Sequence, residues 1–207
     1  MDWSGYIDIF CERLEPGFWA EPVNAITNAA FLIAALIVWP MVGGRGRLLA
    51  ALVGAVGIGS FLYHTFATQW GSAVDVGAIA VFTLAYLYFA TRDLLRWPFP
   101  WAAPILFFPY IVVTTLAFNA LPFFNVSNAY WGIALLIAIY GWLIRPQPAG
   151  RGLLIAAALL SVSITVRSLD MPFCDAFPLG THFVWHILNG ITLGWLVLVY
   201  DRHVRAA

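Results

Sequence analysis

The sequence is poor in charge. Of its 207 residues only 10% are Asp, Glu, Lys or Arg, against about 25% in an ordinary soluble domain. Lysine is absent, so all ten basic residues are arginine. Ten acids balance them and the net charge is zero, which leaves no basic surface for a nucleic acid. There are two cysteines, Cys11 and Cys174, and four histidines. The N-terminus does not resemble a cleavable signal: residues 1–21 are acidic and lack an apolar core, so topology is expected to come from the spans themselves. No soluble domain, internal repeat or low-complexity segment interrupts the chain.

What it has is apolar: 62% of the residues are hydrophobic and the mean hydropathy is +0.87. That composition predicts a polytopic, all-α membrane protein. Apolar runs of spanning length, about 17–25 residues, lie at 22–42, 48–67, 73–91, 101–118, 128–144, 153–170 and 181–200. The expected fold is a seven-transmembrane helix bundle (22–200) with an N-terminal cap (1–21) and a short tail (201–207). Turn-rich breaks at Gly43–Arg47, Arg92–Pro100 and Arg145–Arg151 separate spans. Arginines 45, 47, 92, 96, 145, 151, 202 and 205 fall on one side of this topology. The positive-inside rule puts that side in the cytoplasm, with the N-terminus outside and the C-terminus inside.

Polar residues inside the spans are few, and intramembrane ionisable residues are functional candidates by default. His182 and His186 are four apart at the start of the last span and share one helix face, their Cβ atoms about 6 Å apart. His64 ends span 2, one turn after Ser60. Asp75 begins span 3, and Arg167 and Asp170 end span 6. All of these reach a similar depth towards the outer face, which points to a single site. Three neutral imidazoles suit a zinc ion with a fourth position for water. Zinc lowers the pKa of such a water towards about 7. Asp75 is placed to accept its proton, and Ser60 to hydrogen-bond a developing oxyanion or orient a neighbour. Plainer roles exist for each: a core histidine at His64, a packing serine at Ser60, and at Asp75 a structural partner for a histidine or Arg167.

Half of the acids (Asp2, Asp8, Glu12, Glu15, Glu21) crowd into residues 1–21. They form either a solvated tail or a folded cap that binds a hard cation, for which carboxylates and carbonyls suit calcium. Cys11 and Cys174 both fall on the outer side, where disulfides persist. They are expected to pair, the alternative being two free buried thiols. Trp70, Phe123 and Phe124 near the outer boundary either line an acyl pocket or anchor the chain at the interface.

Several of these pieces carry a family likeness. Cys11-Glu12, then Glu21-Pro-Val-Asn24-Ala-Ile-Thr-Asn28, Gly59-Ser60-Phe-Leu-Tyr-His64, Asp75, Asp170 to Cys174, and His182-Phe-Val-Trp-His186-Ile-Leu-Asn-Gly190 occur in order over nearly the whole chain. Together they resemble the alkaline ceramidases, amidases of a superfamily that includes the adiponectin-receptor-like proteins. The resemblance implies zinc on His64, His182 and His186, catalysis by Asp75 with support from Ser60, and a Cys11–Cys174 disulfide. It also implies calcium bound through Glu12 and Glu21, with Asp8 one residue displaced from the family's position. It alone supplies the substrate: a ceramide or ceramide-like N-acyl lipid entering from the bilayer, cleaved to a sphingoid base and a fatty acid. Clipped loops point to the bacterial inner membrane, with the site towards the periplasm. No protein partner is implied. The competing functions are a receptor-like lipid binder with a structural zinc and no turnover, a transporter or proton relay, and a hydrolase of an ester or another N-acyl lipid.

Overall fold

The computed structural model describes residues 2–206; residues 1 and 207, the ends of the expected cap and tail, lie outside the described residues. It has seven helices long and apolar enough to cross a membrane: α1 (Pro22–Met41), α2 (Gly44–Phe66), α3 (Gln69–Leu94), α4 (Ala102–Asn119), α5 (Asn125–Leu143), α6 (Pro148–Ser168) and α7 (His182–Ala206). The protein is thus a multi-pass, all-α membrane protein. Helices satisfy their own backbone groups, which a bilayer core requires of any spanning segment.

The helices follow one another around a ring, each packed on its chain neighbours, with α7 returning to α1 and α2 touching α7 across the interior. A core of buried residues from α1, α2, α3, α6 and α7, including Phe31, Val53, Phe82, Leu153 and Val197, joins these helices inside the bundle. α4 stands outermost. Leu106, Val113 and Leu116 on it are exposed, as expected of side chains that meet lipid tails.

Several helices extend past the apolar runs. α2, α3, α5 and α6 start three to five residues earlier than expected, and α7 continues through the expected tail to Ala206. The reason is local bonding that hydropathy does not see. Asp201 is buried, accepts the Gly43 N–H at 3.0 Å and pairs with Arg205 at 2.7 Å, while Arg205 donates to the Met41 carbonyl at 3.0 Å. The charges that end the apolar run therefore hold the helix to the α1–α2 corner. Arg45 pairs with Asp93 at 3.0 Å, and Tyr200 donates to the same carboxylate at 2.6 Å, which ties the ends of α2, α3 and α7 together.

At the opposite end α2 stops at Ala67, whose φ of +47° is left-handed, and α3 starts on a cap in which the Thr68 hydroxyl accepts the Gly71 N–H at 3.3 Å. This corner is a docking edge for the N-terminal cap. Ile7 donates to the Ala67 carbonyl (2.7 Å), Gln69 to Gly5 (3.0 Å) and Trp70 to Trp3 (3.0 Å). The Cys11–Cys174 disulfide is formed and fixes the cap to the α6–α7 loop.

Candidate metal centre

His182 and His186 project from the first turns of α7, and His64 from the last turn of α2. The three are fully buried. Their ring centroids are 4.7 Å apart for His64–His186 and His182–His186, and 5.1 Å for His64–His182. One nitrogen of each ring lies within 4.8 Å of those of the other two; this is the one such group of metal-ligating side chains among the described residues. The three rings are therefore close enough together to be candidate ligands of one ion.

The bonding around the rings prepares them for that task. His64 Nδ1 donates to Glu21 Oε2 at 2.6 Å. Thr27 Oγ1 lies 3.0 Å from His186 Nδ1 and 2.7 Å from the Val23 carbonyl. A hydroxyl that donates to Val23 has a lone pair left to accept from His186 Nδ1–H. In both rings Nε2 then keeps its lone pair, the form in which imidazole binds a metal. His186 Nε2 and His182 Nδ1 are buried without any hydrogen-bond partner. Buried polar atoms are rarely orphaned, and a bound metal ion would account for these two together.

Glu21, placed at the start of α1, does more than face a histidine. Its other oxygen pairs with Arg13 Nε. The Arg13 guanidinium also donates to the carbonyls of His64 at 2.7 Å, Gly17 at 3.1 Å and Glu15 at 3.4 Å. Burial pushes the Glu21 carboxyl up, but the His64 hydrogen bond and the Arg13 guanidinium overcome it and hold the group below its ordinary value. Glu12 uses both oxygens to accept the Val23 and Asn24 N–H groups (2.7 and 2.8 Å), capping α1. Burial raises the Glu12 carboxyl in spite of these bonds.

These facts bear on the expected calcium site, which this structure does not assemble. Glu12 is spent on a helix start, Glu21 is paired with Arg13 and hydrogen-bonded to His64, and Asp8 is exposed. Among the described residues the three carboxylates form no metal-holding group. A positive charge does sit among carboxylate and carbonyl oxygens here, but it is the Arg13 guanidinium.

Asp170 is also a connector. One oxygen accepts Cys11 N–H at 3.0 Å, and the other accepts Thr181 N–H at 2.7 Å and His182 N–H at 2.9 Å. It joins the cap to the first turn of α7 and so sets where His182 begins. Gly180, at φ +64°, lies so close that a Cβ there would run into the Asp170 carboxylate and come within 2.8 Å of Cys11 Cβ. Phe10, next to Cys11, lays its ring 4.0 Å from His182 and 4.8 Å from His64, centroid to centroid. The cap thus closes the histidine cluster from one side.

Beside the cluster, and lined in part by the cap residues Ile9 and Phe10, a cavity of about 320 Å³ opens inside the bundle. Ser60, Asp75, Arg167 and His182 line its histidine end, and apolar residues such as Leu153 and Leu196 line the rest. Gly59 makes the Ser60–Asp75 juxtaposition possible: a Cβ there would stand 3.1 Å from the Val74 carbonyl and 3.3 Å from Asp75 Cα, so α2 and α3 meet closely only without one. Ser60 is buried. Asp75 Oδ1 is buried with no partner, and Asp75 forms no ion pair with Arg167 among the described residues. Trp70, Phe123 and Phe124 do not line this cavity; they belong to aromatic clusters with Phe66 and with Trp131.

No family model, curated protein or solved structure matches the chain.

Proposed function

We propose that the chain is a zinc-dependent intramembrane hydrolase that cleaves the amide bond of a ceramide-like N-acyl lipid to an amine, such as a sphingoid base, and a fatty acid. The observation that carries this is a buried cluster of three histidines, one of which, His182, lines a cavity together with Asp75, whose Oδ1 is buried without a partner. A three-histidine set with no cysteine favours zinc among common metals. The sequence likeness to the alkaline ceramidases supports the same choice of metal and bond.

Zinc bound here would polarise the amide carbonyl and make water a competent nucleophile. The rest falls to the chain. Asp75 takes the proton of the attacking water and returns it to the departing nitrogen as the C–N bond breaks and the C–O bond forms. Ser60, on the same wall, donates to the carbonyl oxygen as charge develops on it. The apolar part of the cavity takes the acyl chain, and the Phe10 ring of the disulfide-tied cap, which packs on His64 and His182 and also lines the cavity, shields the histidines from bulk water. The arginine distribution supports a cytoplasmic C-terminus, with the histidines near the outer face of a bacterial inner membrane.

The test is release of fatty acid from N-acyl sphingosine by the purified protein, wild type beside Asp75→Asn. The expected result is turnover in the wild type and a loss of at least about a hundredfold in the variant, with zinc content unchanged. A zinc-loaded wild type that binds amide lipid without cleaving it would replace this reading with a lipid-binding, receptor-like one.

A further inference from the structure

Resting on that site reading, we propose that Arg167 binds a carboxylate on the amine half of the substrate, so that among N-acyl lipids those of amino acids are taken in preference to those with a neutral head, which remain substrates. Arg167 and Asp75 are the charged side chains of the cavity lining. The other arginine near the histidines, Arg13, is neutralised by Glu21, whereas Arg167 has no ion pair among the described residues. Its guanidinium is held in place. Nη1 donates to Ser127 Oγ at 2.9 Å and to the Val126 carbonyl at 3.3 Å, and Cζ lies 5.2 Å from the Tyr130 ring centroid and 5.7 Å from that of Trp185.

That leaves the Nε–H and Nη2–H edge without a protein acceptor among the described residues. This edge is the two-donor fork that matches a carboxylate bidentately. Arg167 is half-buried and this edge is not among the buried unpartnered atoms, so it stays accessible to a carboxylate entering the cavity. The placement fits the substrate's polarity. Arg167 lies one turn before Asp170, which caps the start of α7, so it stands at the histidine end of the cavity. An acyl chain lying along Leu153 and Leu196 would leave the amide at the histidines and the head group beside Arg167.

The structural alternative is that Arg167 merely pins the start of α5 through Val126 and Ser127. N-palmitoylglycine and N-palmitoylethanolamine separate the two, because they share the acyl chain and the amide and differ in carboxylate against hydroxyl. Binding is measured in the full-length Asp75→Asn protein, where turnover does not interfere, and turnover in the wild type. The expected result is at least about tenfold tighter binding of N-palmitoylglycine, lost in Arg167→Gln, with N-palmitoylethanolamine affinity within about twofold of the parent. Equal affinity of the two probes, or an Arg167→Gln variant that weakens both alike, overturns the proposal. If Arg167→Gln does not fold, the comparison of the two probes in the parent decides alone. Selective binding without wild-type turnover would refute the hydrolase and leave the carboxylate site standing. Unselective binding with turnover would refute only the role of Arg167.

Discussion

Replacing Glu21 by glutamine tests the most tightly bonded part of the site. The substitution keeps size and leaves an oxygen to accept from His64 Nδ1, but it removes the charge between that ring and Arg13. Two effects follow, and they can be measured apart. First, the carboxylate behind a metal-ligating histidine orients it and raises its basicity, and loss of such a partner costs about 10–100-fold in metal affinity, roughly 1.4–2.8 kcal/mol. Second, Arg13 and Glu21 are nearly inaccessible, their side chains 1% and 2% exposed. Removing one member of a buried pair leaves a bare charge and costs about 3–5 kcal/mol. The zinc effect is read by competition with a chromogenic chelator, and the stability effect by thermal unfolding of the metal-free protein. Arg13→Met should lower stability while leaving zinc affinity closer to wild type, since Glu21 still holds His64. The double variant should unfold less readily than the sum of the singles requires, because no unpaired charge remains. A Glu21→Gln protein with wild-type zinc affinity and wild-type stability would refute the account of this cluster.

Three further outcomes are expected. Phe10→Ala removes a buried ring that packs on His64 and His182; it should cost about 3–5 kcal/mol and speed zinc loss to a chelator, and an unchanged loss rate would show that the cap does not shield the site. Gly180→Ala has no room beside Asp170 and Cys11, so it should expose the cap to limited proteolysis, as should reduction of Cys11–Cys174; a protease-resistant variant would contradict the connector role of Asp170. The pH dependence follows from Glu21. Its folded carboxyl titrates below its ordinary value of 4.5, so the stability it contributes is complete above that value and is lost as pH falls through the lower folded one. Acid unfolding of the metal-free protein should therefore be less steep in Glu21→Gln, and an identical acid profile would contradict the assignment.

The spans and the histidine cluster were legible because each follows from a one-dimensional signal. Long apolar runs mark helices, and His64, His182 and His186 are rare polar residues at matching depth. The helix ends were less legible, since Asp201, Arg205 and Arg45 look like loop residues until their partners Gly43, Met41 and Asp93 are known. The bonding of the cap was hidden for the same reason. Its acids suggested calcium, but Glu21 meets a cation of the chain itself, and nothing in the local sequence shows that Arg13 reaches the carbonyl of His64, 51 residues away. Asp170 shared the depth of the site, which suggested chemistry; its backbone partners Cys11, Thr181 and His182 make it a connector. Thr27 carried no signal beyond its place in the segment Glu21–Asn28, because its bond to His186 joins α1 to α7.

The central claim is that His64, His182 and His186 hold a metal ion. Elemental analysis of the protein purified without chelator, wild type beside a His182→Ala, His186→Ala double variant, tests it most directly. The account predicts one zinc per chain in the wild type, none in the double variant, and no stoichiometric calcium in either. Wild-type protein free of zinc and of any other transition metal, or a double variant that retains full zinc, would contradict it.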